Sequence, residues 1–223
     1  MDKMLSINKA VEELLKNRPF INDSFRLGIV NYSGLARYLE PLLKEKLDKK
    51  INSEAVIMAV KRYGEKVSGE AVSSQVLNVL ANCDLRLKGD VVELTLEKTT
   101  SNYQIALDVY KKINWQRGDI VNVYQSLTEI AVLLEDKNKD LILKKCTPVH
   151  MEEDLAIVTL KTPEEMLDVP GFIYHLLGLI GSAGVNIVDV ISTYTELNLI
   201  VKEKDAAKVY DLLFDSIKKA RKS

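Results

Sequence analysis

The chain has 223 residues, of which 47% are hydrophobic and 28% charged, and its formal net charge is −1. This composition excludes an intrinsically disordered protein, and the lack of any apolar run of about 18 residues excludes a membrane-spanning helix. Residues 1–66 hold 13 Lys and Arg against 9 Asp and Glu. This N-terminal third is therefore the part best suited to contact nucleic acid, and the length allows one or two domains.

Cysteine and histidine are too sparse for a disulfide framework or a Cys/His zinc site. Cys83 and Cys146 are accompanied only by His150 and His175. Two buried or half-buried thiols fit a reducing compartment, and the charged, amphipathic start of the chain is not typical of a signal peptide. The sequence therefore predicts a cytoplasmic protein without a metal site or a cofactor.

The first 82 residues are predicted to form a helical module. Residues 4–17 carry apolar side chains at helical spacing, and the Arg-Pro step that follows ends that helix. A short helix over about 20–27 then stops at Gly28.

Two longer helices and a connecting segment complete the predicted module. One helix begins at Asn31 or Ser33 and runs through LARYLEPLLKEKL, where Pro41 should kink it or start a new turn. Ser53 is predicted to cap the next helix, and residues 70–81 are typical of a further helix or a helix-like linker.

From residue 83 the pattern changes to strands alternating with helices. The run CDLRLKGDVVELTLEK alternates on both sides of Lys88-Gly89-Asp90, which predicts a β-hairpin with Gly-Asp in its turn. The further predicted elements are, in order, helix 102–114, strands 119–125 and 128–135, helix 138–145, strand 154–161, helix 171–183, strands 186–193 and 196–203, and helix 205–219.

The second series of these elements repeats the first. A shift of 67 positions places the Thr-Glu-Ile of 128–130 on the Thr-Glu-Leu of 195–197, and the order strand, helix, strand, strand, helix is the same. The repeat divides the region into two βαββα units, 83–150 and 151–223. Because such units place helices on one face of a mostly antiparallel sheet, the predicted fold class is α+β.

The motif richest in chemical information surrounds the helix of the second unit. Pro170 and Gly171 open that helix, whose first backbone N–H groups have no internal partners and attract a carboxylate. Gly171 has no side chain to block a close approach. Asn186 follows the glycine that ends the helix, and its side chain offers both a donor and an acceptor to an α-amino acid.

This stretch, from Val169-Pro170-Gly171-Phe172 through Gly184-Val185-Asn186-Ile187, resembles the ACT domain, and most closely the regulatory domains of aspartate kinases. The resemblance covers about 153–220 directly and 83–150 only through the repeat. It implies two tandem ferredoxin-like ACT units, pairing into a homodimer or larger oligomer, with a small effector, often an amino acid, held at an interface between two such domains. The site residues that it implies are Asp168, Val169, Pro170, Gly171, Phe172, Asn186 and Ile187.

The first unit departs from the ACT pattern at both of these positions. Asn102-Tyr103-Gln104 stands where the second unit has Val169-Pro170-Gly171, and Arg117-Gly118-Asp119 stands where it has Gly184-Val185-Asn186. With neither the Pro-Gly loop nor the asparagine, the segment 83–150 is predicted to be a degenerate ACT-like unit that acts as a packing partner.

The N-terminal module resembles a helix-turn-helix. Asn31–Leu39 is similar to the middle helix of that motif in winged-helix regulators, and the helix from Ser53 would then be the recognition helix. Its basic residues, Lys61, Arg62 and Lys66, are candidates for contacts with DNA. Residues 84–98 would form either a wing or the first strands of the sheet. The alternative is a helical module for dimerisation or for docking on an enzyme.

The sequence contains no catalytic motif of the phosphate-loop or Gly-x-Ser-x-Gly type. The 82 residues before the first strand are too few for an aspartate-kinase catalytic domain. The whole arrangement resembles predicted archaeal regulators of amino-acid metabolism, with ACT domains after a helical N-terminus. The sequence therefore favours a non-catalytic transcription regulator that binds an amino acid. The alternative is a regulatory subunit or scaffold that docks on a metabolic enzyme without binding DNA.

Overall fold

The computed structural model describes residues 6–26, 28–48, 50–68 and 74–222, and the chain divides into two compact units, residues 1–74 and 75–223. The predicted helical positions 4, 5, 27 and 70–73 lie outside the described residues.

The first unit packs three helices against a fourth. Helices α1 (Ile7–Leu15), α2 (Pro19–Arg26) and α3 (Tyr32–Leu47) all contact α4 (Ser53–Ser68). Helix α4 buries one or two residues on each turn because its apolar residues recur at helical spacing. The buried residues that form this core are Ala10, Val11, Leu15, Phe25, Ala36, Leu39, Leu43, Val56, Ala59, Val60, Tyr63 and Val67.

The structure shows which of the predicted residues cap these helices. The Asn31 side chain accepts a hydrogen bond from the Gly34 backbone N–H at 2.9 Å and caps α3, which runs through Pro41 without a break. The prediction that Ser53 caps α4 is wrong. Asn52 Oδ1 accepts from the Glu54 N–H at 2.9 Å, so Ser53 is the first helical residue instead.

The second unit is entered through α5 (Ser74–Ala81), whose side chains Val76, Val79 and Leu80 join the core of this unit rather than that of the first. Its further elements are β1 (Asp84–Glu97), α6 (Thr100–Lys112), β2 (Val121–Gln125), β3 (Glu129–Glu135), α7 (Asp140–Leu143), β4 (His150–Lys161), α8 (Phe172–Ser182), β5 (Ile187–Ser192), β6 (Glu196–Lys202) and α9 (Glu203–Ala220).

The predicted hairpin around Gly89 and Asp90 is wrong, because β1 is one continuous strand. It pairs antiparallel with β4 from Asp84 to Thr95, and the register shifts between Lys88 and Val91. Asp90 has a φ of 55°, as expected for a bulge residue. Gly-Asp favours a bulge as well as a two-residue turn, and the partner strand β4 decides between them. Residues 84–97 are thus sheet strand and do not form a wing.

The two halves of the second unit have the same topology, as the internal repeat predicted. The six strands lie in the order β2-β3-β1-β4-β6-β5, and every neighbouring pair is antiparallel. Each half therefore places its third strand between its first and second, and the two first strands meet at the centre of the sheet.

The structure corrects the predicted alignment at one turn. Gly118 and Gly184 both have a φ of 73° and both precede the second strand of their half. They lie 66 positions apart, whereas β3 and β6 begin 67 apart. Gly118 therefore corresponds to Gly184 itself, and the extra residue falls at the register shift after Ile187 in β5.

One face of the sheet, here called the outer face, packs against helices. The sheet curls toward its other face, here called the inner face. On the outer face, Ala156, Val158 and Leu160 of β4 pack with α5, α8 and α9. The inner face carries a separate cluster of side chains no more than 4% exposed, formed by Val91, Leu133, Leu155, Ile157 and Ile200. Side chains of the opposite edge strands β2 and β5 meet across this cluster, which shows how strongly the sheet curls.

Candidate functional site

The predicted ligand loop leads directly into α8. Gly171 has a φ of 87° and occupies the N-cap position, and its carbonyl accepts from the His175 N–H at 2.9 Å. No side chain among the described residues caps this helix. The exposed start of α8 therefore presents backbone donors and the positive end of the helix dipole to solvent, which suits a carboxylate.

The predicted site residues divide into anchors and exposed groups. Phe172 is 1% exposed and belongs to the core, and Val169 packs against the same core, so these two hold the loop rather than face a ligand. Asp168, Pro170 and Gly171 are exposed. The loop is thus fixed on its inner side and open on its outer side.

Asn186 and Ile187 lie at the far end of α8 from this loop. Asn186 is exposed, and Ile187 is half-buried at the start of β5. The 11 residues of α8 span about 16 Å at 1.5 Å per residue, so Gly171 and Asn186 of one copy do not meet around one amino acid. A site that uses both groups requires two copies of the unit.

Apolar side chains surround the exposed loop. Leu167 is 58% exposed and Ile173 is 38% exposed, on either side of Pro170 and Gly171. Strand β5, which begins next to Asn186, is an edge strand of the described sheet. Exposed apolar side chains and an open strand edge are typical of a surface that another copy covers.

The turn that precedes the loop is acidic. It contains Glu164, Glu165 and Asp168, and the Tyr194 hydroxyl donates to Glu164 at 2.9 Å. This hydrogen bond raises the pKa of Tyr194, and burial and the charges of Asp168 and Glu165 raise it further. Carboxylates beside the donors of α8 suit a zwitterion, because an ammonium group can approach them while a carboxylate approaches the helix.

The corresponding helix start in the first half is closed. Thr99 caps α6 by accepting from the Asn102 N–H at 3.1 Å, and the Asn102 side chain donates to the Glu97 carbonyl at 2.9 Å. The φ values of residues 97–104 give no left-handed position here, unlike Gly171 in the second half. The two halves therefore differ in the chemistry of this position.

The predicted DNA-contacting residues lie on α4. Lys61 and Arg62 are exposed and form no ion pair with any residue that the structure describes. Together with exposed Met58 and Glu65 they form one stripe along the helix. Lys66 differs, because its Nζ lies 2.6 Å from Glu12 Oε1 of α1.

Other candidate chemistry is sparse in the described part of the chain. No group of three or more His, Cys, Asp or Glu side chains there could hold a metal ion. Burial raises the pKa of the Cys83 thiol to about 12, so this cysteine is a packed side chain rather than a nucleophile. None of the described helices combines the length and the apolarity that crossing a membrane requires.

A cluster on the inner face joins the two halves, and no sequence pattern predicts it. The Tyr124 hydroxyl lies 2.5 Å from Glu93 Oε2 and 2.5 Å from Asp189 Oδ2. These residues come from β2, β1 and β5. Burial raises the pKa of Glu93 and of Tyr124.

Comparison with known proteins gives structural likenesses but no match in sequence. No protein-family model matches the chain, and no curated protein matches it. The aspartate kinase of Clostridium acetobutylicum is similar over 60% of this chain, with 13% identity and a TM-score of 0.49, and this chain spans 34% of that kinase. The regulatory subunit of aspartate kinase from Thermus thermophilus is similar over 59% of this chain and 95% of its own length, with 13% identity and a TM-score of 0.46.

A third likeness is to a Vibrio cholerae protein described as a possible transport protein of unknown function. It covers 66% of this chain and 98% of that one, with 17% identity and a TM-score of 0.47. At these identities and TM-scores, the likenesses establish neither a family nor a ligand for this chain.

Proposed function

We propose that the chain is a non-catalytic regulator whose second unit, a tandem pair of ACT-type halves, binds an α-amino acid at a site completed by two copies. The observation that carries the proposal is the uncapped, exposed start of α8 at Gly171, placed about 16 Å from exposed Asn186 along the helix. The loop of one copy and Asn186 of the other then hold one ligand between them.

The chemistry of the loop supports this ligand class. The α8 backbone donors at Gly171 receive the α-carboxylate, and the acidic turn that ends at Asp168 attracts the α-ammonium group. The apolar rim of Leu167 and Ile173 is covered by the second copy. Because the effector then binds the paired state better than the unpaired one, it shifts the equilibrium between them.

The proposed output is transmitted through the N-terminal helices, by contact with DNA through the exposed α4 stripe. The alternative output is docking on a metabolic enzyme as a regulatory subunit or scaffold. Exposed Lys61 and Arg62 favour DNA, because neither is already neutralised by a carboxylate among the described residues.

The effector is tested by a thermal-shift screen against the twenty amino acids and by two matched variants. Gly171→Asp places a negative charge at the carboxylate position, whereas Gly171→Asn has the same shape without the charge. Both residue types tolerate a positive φ, as Asp48, Asp90 and Asp154 do in this chain. A ligand at 100 times its dissociation constant adds about 2.7 kcal/mol and raises the melting temperature by several degrees.

We expect one amino acid to give this shift in the wild type, a smaller shift in Gly171→Asn, whose side chain competes for the same N–H groups without adding a charge, and no shift in Gly171→Asp or Asn186→Ala. If none of the twenty stabilises the wild type, the proposal of an amino-acid sensor is wrong.

The output is tested by reversing the charge of the α4 stripe. Lys61→Glu combined with Arg62→Glu should abolish salt-sensitive retention on double-stranded DNA, because counterion release from phosphate contacts drives such binding. The control is Glu65→Gln, on the same stripe, which should retain binding. A wild-type protein that DNA does not retain at low salt would contradict the DNA output and leave enzyme docking.

A further inference from the structure

A cleft of about 450 Å³ opens on the inner face of the sheet, between β2 of the first half and β6 of the second. It is separate from the α8 loop, since neither Gly171 nor Asn186 lines it. Its polar and aromatic lining includes Arg86, Lys88, Trp115, Thr159, Glu196 and Asn198.

The charges that border the cleft are of two kinds. Lys88 Nζ lies 2.6 Å from Glu135 Oε1, and Asp119 Oδ1 lies 2.5 Å from Lys137 Nζ, so these two lining charges are already paired. Arg86 and Glu196, in contrast, form no ion pair with each other or with any other residue in the described ranges. Glu196 is half-buried. Arg86 is exposed. A half-buried carboxylate and an exposed guanidinium, neither of them paired, line one cleft and are available to a ligand that carries both charges.

The strand register places these two charges on either side of a polar floor. Arg86 of β1 is paired with Thr159 of β4, and Thr159 is paired with Asn198 of β6. Glu196 lies two residues from Asn198 and therefore on the same face. Two strand spacings separate β1 from β6, roughly 10 Å at about 4.8 Å each. Both residues line the cleft and form no ion pair with each other, so a small ligand can lie between them.

The floor and rim add a donor and an apolar surface. Thr159 Oγ1 donates to Asn198 Oδ1 at 2.7 Å, which fixes the amide and leaves its NH₂ group available. Ile157 lies at the base of the cleft, and the Trp115 ring, 55% exposed, lies at its rim. A ligand with opposite charges close together and a short side chain satisfies all of these groups.

We propose that this cleft is a second effector site, which binds a free α-amino acid with its carboxylate on the Arg86 guanidinium and its ammonium on the Glu196 carboxylate. The inference does not depend on the α8 loop. Because β1 and β2 belong to the first half and β6 to the second, the occupant contacts both halves of the sheet.

Trp115 provides a direct readout, because it is the only tryptophan in the sequence and it lines the cleft. The full chain is titrated with each of the amino acids other than Phe, Tyr and Trp, while the Trp115 emission is followed. We expect at least one of them to give a saturable change. Arg86→Ala and Glu196→Gln should each weaken that binding at least about tenfold, as expected for a lost charge-assisted hydrogen bond.

Two further variants locate the binding. Arg86→Lys keeps the charge but loses the two-pronged geometry, so its affinity should fall between those of the wild type and Arg86→Ala. Asn186→Ala, at the separate α8 site, should bind as the wild type does. Glu196→Gln keeps the shape of the side chain, so it gives a readout even if Arg86→Ala fails to fold.

Three results would overturn the inference. One is the absence of any saturable change up to about 10 mM, which is weaker than most specific binding. Another is wild-type affinity in both Arg86→Ala and Glu196→Gln. The third is a change lost in Asn186→Ala but retained in Arg86→Ala, which would leave the proposed α8 site standing and exclude the cleft.

Discussion

At the scale of single residues, the two short contacts of Tyr124 need one more proton than its own hydroxyl group supplies. The phenol carries one hydroxyl proton, yet its oxygen lies 2.5 Å from Glu93 Oε2 and 2.5 Å from Asp189 Oδ2. If both carboxyl groups were ionised, one of these short contacts would have no hydrogen. A proton on one of the two carboxyl groups would supply it. We expect Glu93 to hold this proton, because burial raises its pKa and the charges of Asp189 and Glu152 raise it further, against the hydrogen bond from Tyr124 and the charge of His150.

This proton makes the stability of the second unit dependent on pH in a defined direction. Since the pKa of Glu93 in the folded state lies above its ordinary value of 4.5, the contribution is fully present below pH 4.5 and is lost as pH rises through the folded-state pKa. Glu93→Gln keeps a donor toward Tyr124 and never ionises. Its stability relative to the wild type should therefore grow with pH, by about 1 kcal/mol in all, the net value of one hydrogen bond.

The measurement is the melting temperature of both proteins from below pH 4.5 to about pH 8. The difference between the two melting temperatures removes the contribution of groups whose stabilisation changes with pH in the opposite direction. Asp119 is one such group, because Lys137 lowers its pKa to about 2. Glu97→Gln, at an exposed position of the same strand, is the control and should follow the wild type. A difference between Glu93→Gln and the wild type that stays constant across this range would contradict the shared proton.

Residue-scale features were predictable only where they are local. The Pro170-Gly171 loop and the Asn31 cap follow from residues within three positions of one another. The Tyr124 cluster does not, because its bonds join residues 31 and 65 positions apart in sequence. Only the curl of the sheet brings them together, and no periodicity encodes that curl.

At the scale of the elements, the start of α4 provides a sharp comparison between neighbours. Asn52 Oδ1 accepts from the Glu54 N–H, whereas exposed Ser53 is already helical. Asn52→Ala should cost about 1 kcal/mol of stability in urea unfolding followed by circular dichroism, and Ser53→Ala less than about 0.5 kcal/mol. Equal losses of stability in the two variants would indicate that Ser53 caps the helix as much as Asn52 does.

The elements themselves were largely encoded in local pattern. Strand β6 begins at Glu196 as predicted, and helix α4 begins at Ser53, the residue that was predicted to cap it, because apolar spacing and polar boundaries coincide there. Strand β1 was missed because Gly89-Asp90 permits either a turn or a bulge. The choice belongs to β4, which supplies hydrogen bonds on both sides of the bulge from more than fifty positions away in the chain.

At the scale of the whole molecule, the second unit is a doubled motif with unequal halves. The first half closes its helix start with Thr99, whereas the second leaves Gly171 open and lines its loop with exposed apolar side chains. The internal repeat allowed the shared topology to be predicted from sequence. The separation of Gly171 from Asn186 by the length of α8 indicates that the proposed effector site needs a second copy.

A site shared between two copies is tested by complementation between two inactive variants. Gly171→Asp and Asn186→Ala are mixed in equal amounts, unfolded and refolded together, and titrated calorimetrically with the amino acid that stabilises the wild type. Half of the random dimers then contain one copy of each variant, and each of these has one intact site, so the mixture should regain about a quarter of the wild-type capacity. A mixture as inactive as the separate variants would contradict a site shared between copies.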